Sequence, residues 1–266
     1  MKSKIAQATC MKYSPVAVLW SDEKPGDAIE FKAGSRGCVM ALLAGSAKGK
    51  VAVMSRETVG CGGGEIGMGF TSEYHQMPGG IERFLSTGSP ELAETEEGRK
   101  IAERMPDLIK GERYIKTPEL ARKFVESLPA LDIPAKYVIF KPLELVTEEE
   151  HPKSVVFLVN PDQLSALVVL ANYARKSGDN VTIPMGAGCH QIGIFCYEQD
   201  TKEPPKAIIG LTDLSARKVT DKVLGRDILS FSVPFSMFEE MEGNVEGSFL
   251  ERDTWKSVIG EVECKE

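Results

Sequence analysis

The sequence is poor in most of the features that mark a specialised chain. None of its 266 residues falls in an unbroken run of 18 apolar ones, so no membrane-spanning helix is expected. Positive charge is in deficit: 32 Lys and Arg against 39 Asp and Glu leave −7. Phosphate backbones need a concentrated basic face, so nucleic acid is disfavoured as a partner. The start, Met1-Lys2-Ser3-Lys4-Ile5-Ala6-Gln7, reaches Met11-Lys12-Tyr13 without an apolar stretch. It reads as lacking a secretory signal, and a cytoplasmic location is expected. Histidines number three and no Cys-x-x-Cys pair occurs, which removes the compact zinc-ribbon and ferredoxin spacings.

What is present is globular. Hydrophobic residues make up 42% and charged residues 27%, which excludes disorder, collagen and coiled coil. The length corresponds to roughly 1.8 domains. Residues 15–20 (Pro15-Val16-Ala17-Val18-Leu19-Trp20) read as a buried strand, followed by a turn at Pro25-Gly26. Cys38-Val39-Met40-Ala41-Leu42-Leu43-Ala44 is an apolar helical run that stops at Gly49, and Val51–Ser55 is a short strand. A glycine-rich loop then extends from Val59 to Phe70.

Residues 71–131 read as a mostly helical, charged insertion, with helix starts at Ser89-Pro90 and Thr117-Pro118. A second strand-rich half opens at Tyr137–Pro142. Glu148-Glu149-Glu150 is a solvated loop. Ser154–Val159 is a strand, and Asn160-Pro161-Asp162-Gln163-Leu164 opens a helix predicted to reach Lys176. Asn180–Ile183 is the next strand, followed by a loop from Pro184 to Gly193. Phe238–Glu242 predicts an amphipathic helix packed on the sheet.

The two halves repeat an order of features. Leu42-Leu43-Ala44 answers to Val169-Leu170-Ala171, Gly49 to Gly178, Val51 and Val53 to Val181 and Ile183, Gly60-Cys61 to Gly188-Cys189, and Ile66-Gly67 to Ile192-Gly193. The expected fold is therefore α+β, a single unit over 1–266. It is built from two similar strand–helix–strand halves, about 12–70 and 137–235, with the helical insertion 71–131 between them. A pseudo-two-fold relation would bring Cys61 and Cys189 to one crevice.

Six cysteines stand at 10, 38, 61, 189, 196 and 264. A disulfide framework is not expected in a chain of this kind. Cys10 and Cys264 lie near the ends in polar surroundings and are assigned no role. Cys38 heads a helix, a position that lowers a thiol pKa. Cys196 follows Cys189 closely enough to return to the same pocket.

Three chemistries suit these residues. The first is an iron–sulfur or related metal centre, with Cys38, Cys61, Cys189 and Cys196 as ligands. Flanking glycines would let amides approach the sulfurs. The second is a cradle for a small anionic ligand or cofactor, made by Gly60, Gly62, Gly63, Gly64 and Gly188. No Gly-Lys-Ser/Thr follows, and the dinucleotide fingerprint is incomplete; a tight turn explains such glycines equally well. The third is thiol catalysis. Cys189 and His190 are neighbours, and on a strand they would face apart, so His75 is the better partner. His151 reads as solvated. Arg36, Arg56 and Arg217 are minor anion-binding candidates, and each is more simply a surface charge.

The chain also resembles the prokaryotic domain of unknown function 169 family, common in archaea and anaerobic bacteria. The residues carrying the resemblance are Pro15-Val16-Ala17-Val18, Cys38, Cys61-Gly62-Gly63-Gly64 with Gly67, Asn160-Pro161-Asp162-Gln163-Leu164, Cys189, and Ser215-Ala216-Arg217 followed by Val233-Pro234. Cys196 belongs to no part of that pattern. The resemblance implies a cytoplasmic protein from an anaerobic setting that suits oxygen-sensitive clusters. It supplies no substrate and no catalytic residue. The expected function is cysteine-bound iron–sulfur or metal chemistry: electron transfer, redox sensing or activation of a small substrate. The expected partner is a redox protein or a small molecule, and a homo-oligomer is compatible. A ligand-binding module with packed cysteines is the alternative, and a structural protein without chemistry is a third reading.

Overall fold

The structure is a computed structural model, and it describes residues 1–35, 37–74 and 78–260. The chain is mixed α+β and divides into two compact units, Met1–Ser72 with Leu131–Glu266, and Glu73–Ala130.

The larger unit opens with helix α1 (Lys4–Ala8), strand β1 (Val16–Ser21), α2 (Val39–Ser46), β2 (Ala52–Ser55), α3 (Gly62–Gly67) and the short β3 (Phe70–Thr71). The smaller unit then holds α4 (Ile81–Phe84), α5 (Glu96–Arg104), α6 (Asp107–Lys110) and α7 (Pro118–Glu126). Thr117 caps α7 through its hydroxyl, with Pro118 in the first turn. At Ser89-Pro90 the expected helix is instead a single 3-10 turn, Pro90–Glu94, whose Ser89 makes no side-chain cap.

The larger unit resumes with β4 (Leu131–Asp132), β5 (Tyr137–Pro142), β6 (Ser154–Val159), α8 (Pro161–Asn172), β7 (Val181–Thr182), α9 (Gly188–Ile192) and α10 (Ile194–Gln199). It closes with β8 (Ala207–Gly210), α11 (Leu214–Leu224), β9 (Leu229–Pro234), α12 (Phe235–Gly243) and α13 (Asp253–Ile259). The start of α8 follows its sequence signal. Asn160 accepts from the Gln163 amide at 2.9 Å and Gln163 returns a bond to the Asn160 amide at 3.1 Å, a reciprocal capping box. The helix ends at Asn172 rather than Lys176.

Seven strands form one sheet in the order β2-β5-β1-β6-β9-β8-β7. Every adjacent pair is antiparallel except β7 with β8. Strand side chains alternate between faces. One face sets Ala17, Leu19, Val155, Phe157, Phe231 and Val233 against α1, α8, α12 and α13, through Ile5, Leu167, Met237 and Trp255. The opposite face carries α2 over β2 and β5, and α9 and α10 over β8 and β9.

The strand order corrects the internal echo. Counting outward from the central β1–β6 pair, β2 is third on its side and β7 is fourth on the other. The echo matched those two strands, yet they do not hold matching places. The structure differs from the sequence reading at both glycine-containing segments as well. Cys61–Gly67 and Gly188–Ile192 were expected as loops and are helical. Cys10, expected as a bystander, is disulfide-bonded. Arg36, His75 and Cys264 lie outside the described residues.

Candidate functional site

Three of the four candidate thiols sit at helix starts. Cys38 is the N-cap of α2 and Cys61 the N-cap of α3. Cys189 lies in the first turn of α9, behind its N-cap Ala187. Cys61 Sγ accepts a hydrogen bond from the Gly64 amide at 3.2 Å, the role a serine or aspartate oxygen fills at other helix starts. Cys189 Sγ donates to the Gly63 carbonyl at 3.1 Å and lies 3.7 Å from His190 Nδ1. α3 and α9 are therefore joined at their first turns.

The glycines explain how two helices come so close. A Cβ on Gly67 would stand 2.8 Å from Cys189 Sγ and 2.9 Å from the Cys189 and His190 backbone. One on Gly193 would stand 2.0 Å from the Gly67 carbonyl. Gly64 admits Val39 of α2, and Gly188 admits Met40 and Ala216. Gly60 sits against the Gly37 backbone, whose amide donates to the Gly60 carbonyl at 3.0 Å. Of the proposed cradle residues, Gly60, Gly64 and Gly188 are thus packing positions. Gly62 and Gly63 begin α3, and Gly63 has open space beside its Cα.

The electrostatics couple the three thiols. Desolvation is the largest influence on each, although only Cys189 is buried outright: Cys38 is half-buried and Cys61 is exposed, so the effect is firmest at Cys189. Desolvation pushes Cys38 up to about 11, against the opposing Met40 amide, with the Cys61 and Asp213 charges adding to the rise. Cys61 is also raised, against the amides of Gly64 and Gly63, with Asp213 and Glu65 adding. Cys189 is raised well above an ordinary thiol, with Cys61, Cys38 and Asp213 all contributing after burial. The helix start at Cys38 was expected to lower its pKa. Desolvation outweighs it, because no cation among the described residues acts on a thiolate placed among other thiols and a carboxylate.

Cys196 does not join this group. It is buried on α10 against Ser154 of β6, burial raises its pKa, and none of the other three thiols is among the groups acting on it. Cys189 and His190, expected in a loop and weighed as neighbours that would face apart on a strand, share a helix, with Sγ and Nδ1 at 3.7 Å. Burial lowers His190 to about 4, so the pair is a neutral thiol beside a neutral imidazole. A thiolate nucleophile would need the opposite balance.

Asp213 is the member of the site that the sequence reading passed over. It is the N-cap of α11, where Oδ1 accepts from the Ser215 amide at 2.9 Å and the Ser215 hydroxyl at 2.8 Å. Its Oδ2 accepts from the Gly188 amide at 3.2 Å, so one carboxylate serves two helix starts. Asp-x-Ser before an apolar helix was the available signal. Arg217 holds the approach to it, with Nη1 donating to the carbonyls of Leu211 and Ile228 at 3.2 Å each and Nη2 to that of Arg226. Leu211 is buried in the left-handed region at φ 59°. Arg217 is therefore a carbonyl clamp rather than an anion site. Arg56 pairs with Asp132 at 2.8 Å and covers the Phe70 ring. His151 is exposed.

Among the described residues, no set of three His, Cys, Asp or Glu side chains stands in the geometry of a metal ion site. A cavity of about 350 Å³ opens elsewhere, beside the paired Arg175 and Glu240 and next to Pro204, Pro205 and Met237. It contains none of the thiols. No described helix is long and apolar enough to cross a membrane.

A family model described as an uncharacterised ArCR family, DUF169, matches residues 4–244. The chain belongs to the DUF169 family. That span takes in every element from α1 to α12, and with them Cys38, Cys61, Cys189 and Asp213. No curated protein and no solved structure matches the chain.

Proposed function

We propose that this DUF169 protein binds a thiophilic centre of the iron–sulfur type through Cys38, Cys61 and Cys189. The carrying observation is the packing of three thiol-bearing helix starts, with Cys189 Sγ bonded to Gly63 of α3 and Gly64 of α3 against Val39 of α2, each thiol being approached by a backbone amide. Desolvation and the Asp213 charge favour the protonated thiols, most strongly at buried Cys189. A cationic centre would reverse that balance, displacing the protons and pairing each thiolate with metal and amide. A cluster also spreads its ligands wider than a single ion does, which accommodates thiols outside single-ion geometry.

With three protein thiolates, a four-iron centre keeps one position open. That suits activation of a small substrate, while electron transfer to a redox partner protein and redox sensing use the same ligand set. Cytoplasmic residence is part of this reading for the free thiols of the site, while the Cys10 disulfide is a bond that an oxidising compartment favours. So is a duplicated origin. The duplicated halves are about 12–70 and 137–235, with Gly60-Cys61 and Gly188-Cys189 as their matching features. The alternative of a glycine-lined anion cradle draws less support, because Gly60, Gly64 and Gly188 are occupied in close packing.

The test is purification without oxygen, followed by a visible spectrum and iron and sulfide analysis. Stoichiometric iron and sulfide with charge-transfer absorption is expected. A colourless protein without stoichiometric metal would overturn the proposal.

A further inference from the structure

The sheet face beneath α9 and α10 is polar where an interior is ordinarily apolar. On this face β9 presents Ser230 and Ser232 and β6 presents Ser154, all fully buried. The register sets them on a diagonal. Ser232 lies opposite Val156, and Ser154 lies opposite Pro234 on one side and Val18 on the other. The line therefore steps from Ser230 through Ser232 and Ser154 toward Trp20, two residues beyond Val18 on β1.

The helices above add polar atoms to the same line. Gln191 of α9 stands over Gly210, where a Cβ would be 3.0 Å from Gln191 Oε1 and 2.6 Å from Ser230 Oγ. The amide nitrogen of Gln191 is engaged with the Pro184 carbonyl and Thr212, at 2.9 and 2.7 Å, which fixes Oε1 toward the sheet. Cys196 of α10 lies against Ser154. The Tyr197 ring meets Trp20 edge-on at 5.0 Å.

Six buried atoms on this line lack a well-formed protein hydrogen bond: Gln191 Oε1, Ser230 Oγ, Ser232 Oγ, Ser154 Oγ, Tyr197 OH and Trp20 Nε1. Trp20 acts on the Tyr197 hydroxyl and Ser154 on the Cys196 thiol, outside good geometry, while Gln191 Oε1, Ser230 and Ser232 have no such neighbour among the described residues. Left uncompensated, buried polar atoms of this kind are costly to a fold. None of the six is a charged group, so what satisfies them is neutral, small, and both donor and acceptor. Neighbouring positions along a strand or on a strand diagonal are about 7 Å apart, beyond the roughly 5.6 Å that two bonds of about 2.8 Å reach through one water, so a bridge takes two waters or side chains that lean together.

We infer that a row of bound internal waters lies between the sheet and α9–α10, running from Gln191 past Ser230, Ser232 and Ser154 to Tyr197 and Trp20. Water is the ligand class because a buried water makes about three bonds to otherwise unpartnered groups. The row does not depend on the thiol centre.

Oxygen-17 relaxation dispersion on the full chain counts long-lived internal waters. The wild type is expected to hold several, with S232A losing at least one and melting at a lower temperature. A wild type with none would overturn the inference, as would an S232A protein with an unchanged count and an equal or higher melting temperature. Should S232A fail to fold, a high-resolution crystal structure of the wild type decides. Waters bonded to at least three of the six atoms support the row, and hydroxyls turned to protein carbonyls instead overturn it.

Discussion

His190 shows how a single side chain records its surroundings. It is 3% exposed, touches Cys189, and is held neutral by burial at a pKa of about 4. A histidine lowered from about 6.5 to about 4 binds fewer protons folded than unfolded across that interval. Its contribution to stability is therefore complete above about pH 6.5 and is lost as the pH falls toward 4. The loss amounts to roughly 3 kcal/mol at full effect. Urea unfolding of the protein without a bound metal, repeated between pH 7 and 4, should show that decline, and H190N should flatten it. An identical slope in H190N would mean that other groups govern the acid limb. The histidine's role was not legible in the sequence, because Cys189-His190 fell in an expected loop and was weighed as a pair that would face apart on a strand.

At the scale of elements, α3 and α8 contrast. The α8 start was legible, since Asn160, Pro161 and Gln163 each favour one helical position and no tertiary contact is needed to read them. Replacing Asn160 with Ala should cost about 1 kcal/mol in chemical denaturation, and an unchanged midpoint would show that the cap contributes nothing. The α3 start was not legible. Gly62-Gly63-Gly64 opposes helix formation by about 1 kcal/mol per glycine, so sequence logic gives a loop. The helix forms because Gly64 and Gly67 admit α2 and α9 at distances no side chain allows. Two substitutions separate propensity from packing. G67A should destabilise by about 1–3 kcal/mol, since its methyl meets the backbone of α9. G63A, where nothing lies within 4 Å, should stabilise by about 0.5–1 kcal/mol. Equal effects would contradict the packing account.

The whole molecule joins a legible sheet to a site that only tertiary structure assembles. Strands β1, β2, β5 and β6 follow from apolar runs, while β9, with Ser230 and Ser232 on one face, was not read; the helical character expected over 71–131 followed from composition and Pro-marked starts. The convergence of Cys38, Cys61 and Cys189 was anticipated through the echo, although the sheet assigns their strands a different correspondence. Cys196 was grouped with them by nearness in sequence. A separate helix, α10, carries it to the sheet face beside Ser154, and Asp213 of α11 stands by the thiols in its place.

The central claim, that three thiols act as one ligand set, is tested most directly by the iron content of single variants purified without oxygen. C38S, C61S and C189S should each lose most of the iron and the charge-transfer absorption, while C196A keeps both at wild-type levels. Full iron in C61S or C189S, or its loss in C196A alone, would contradict the account.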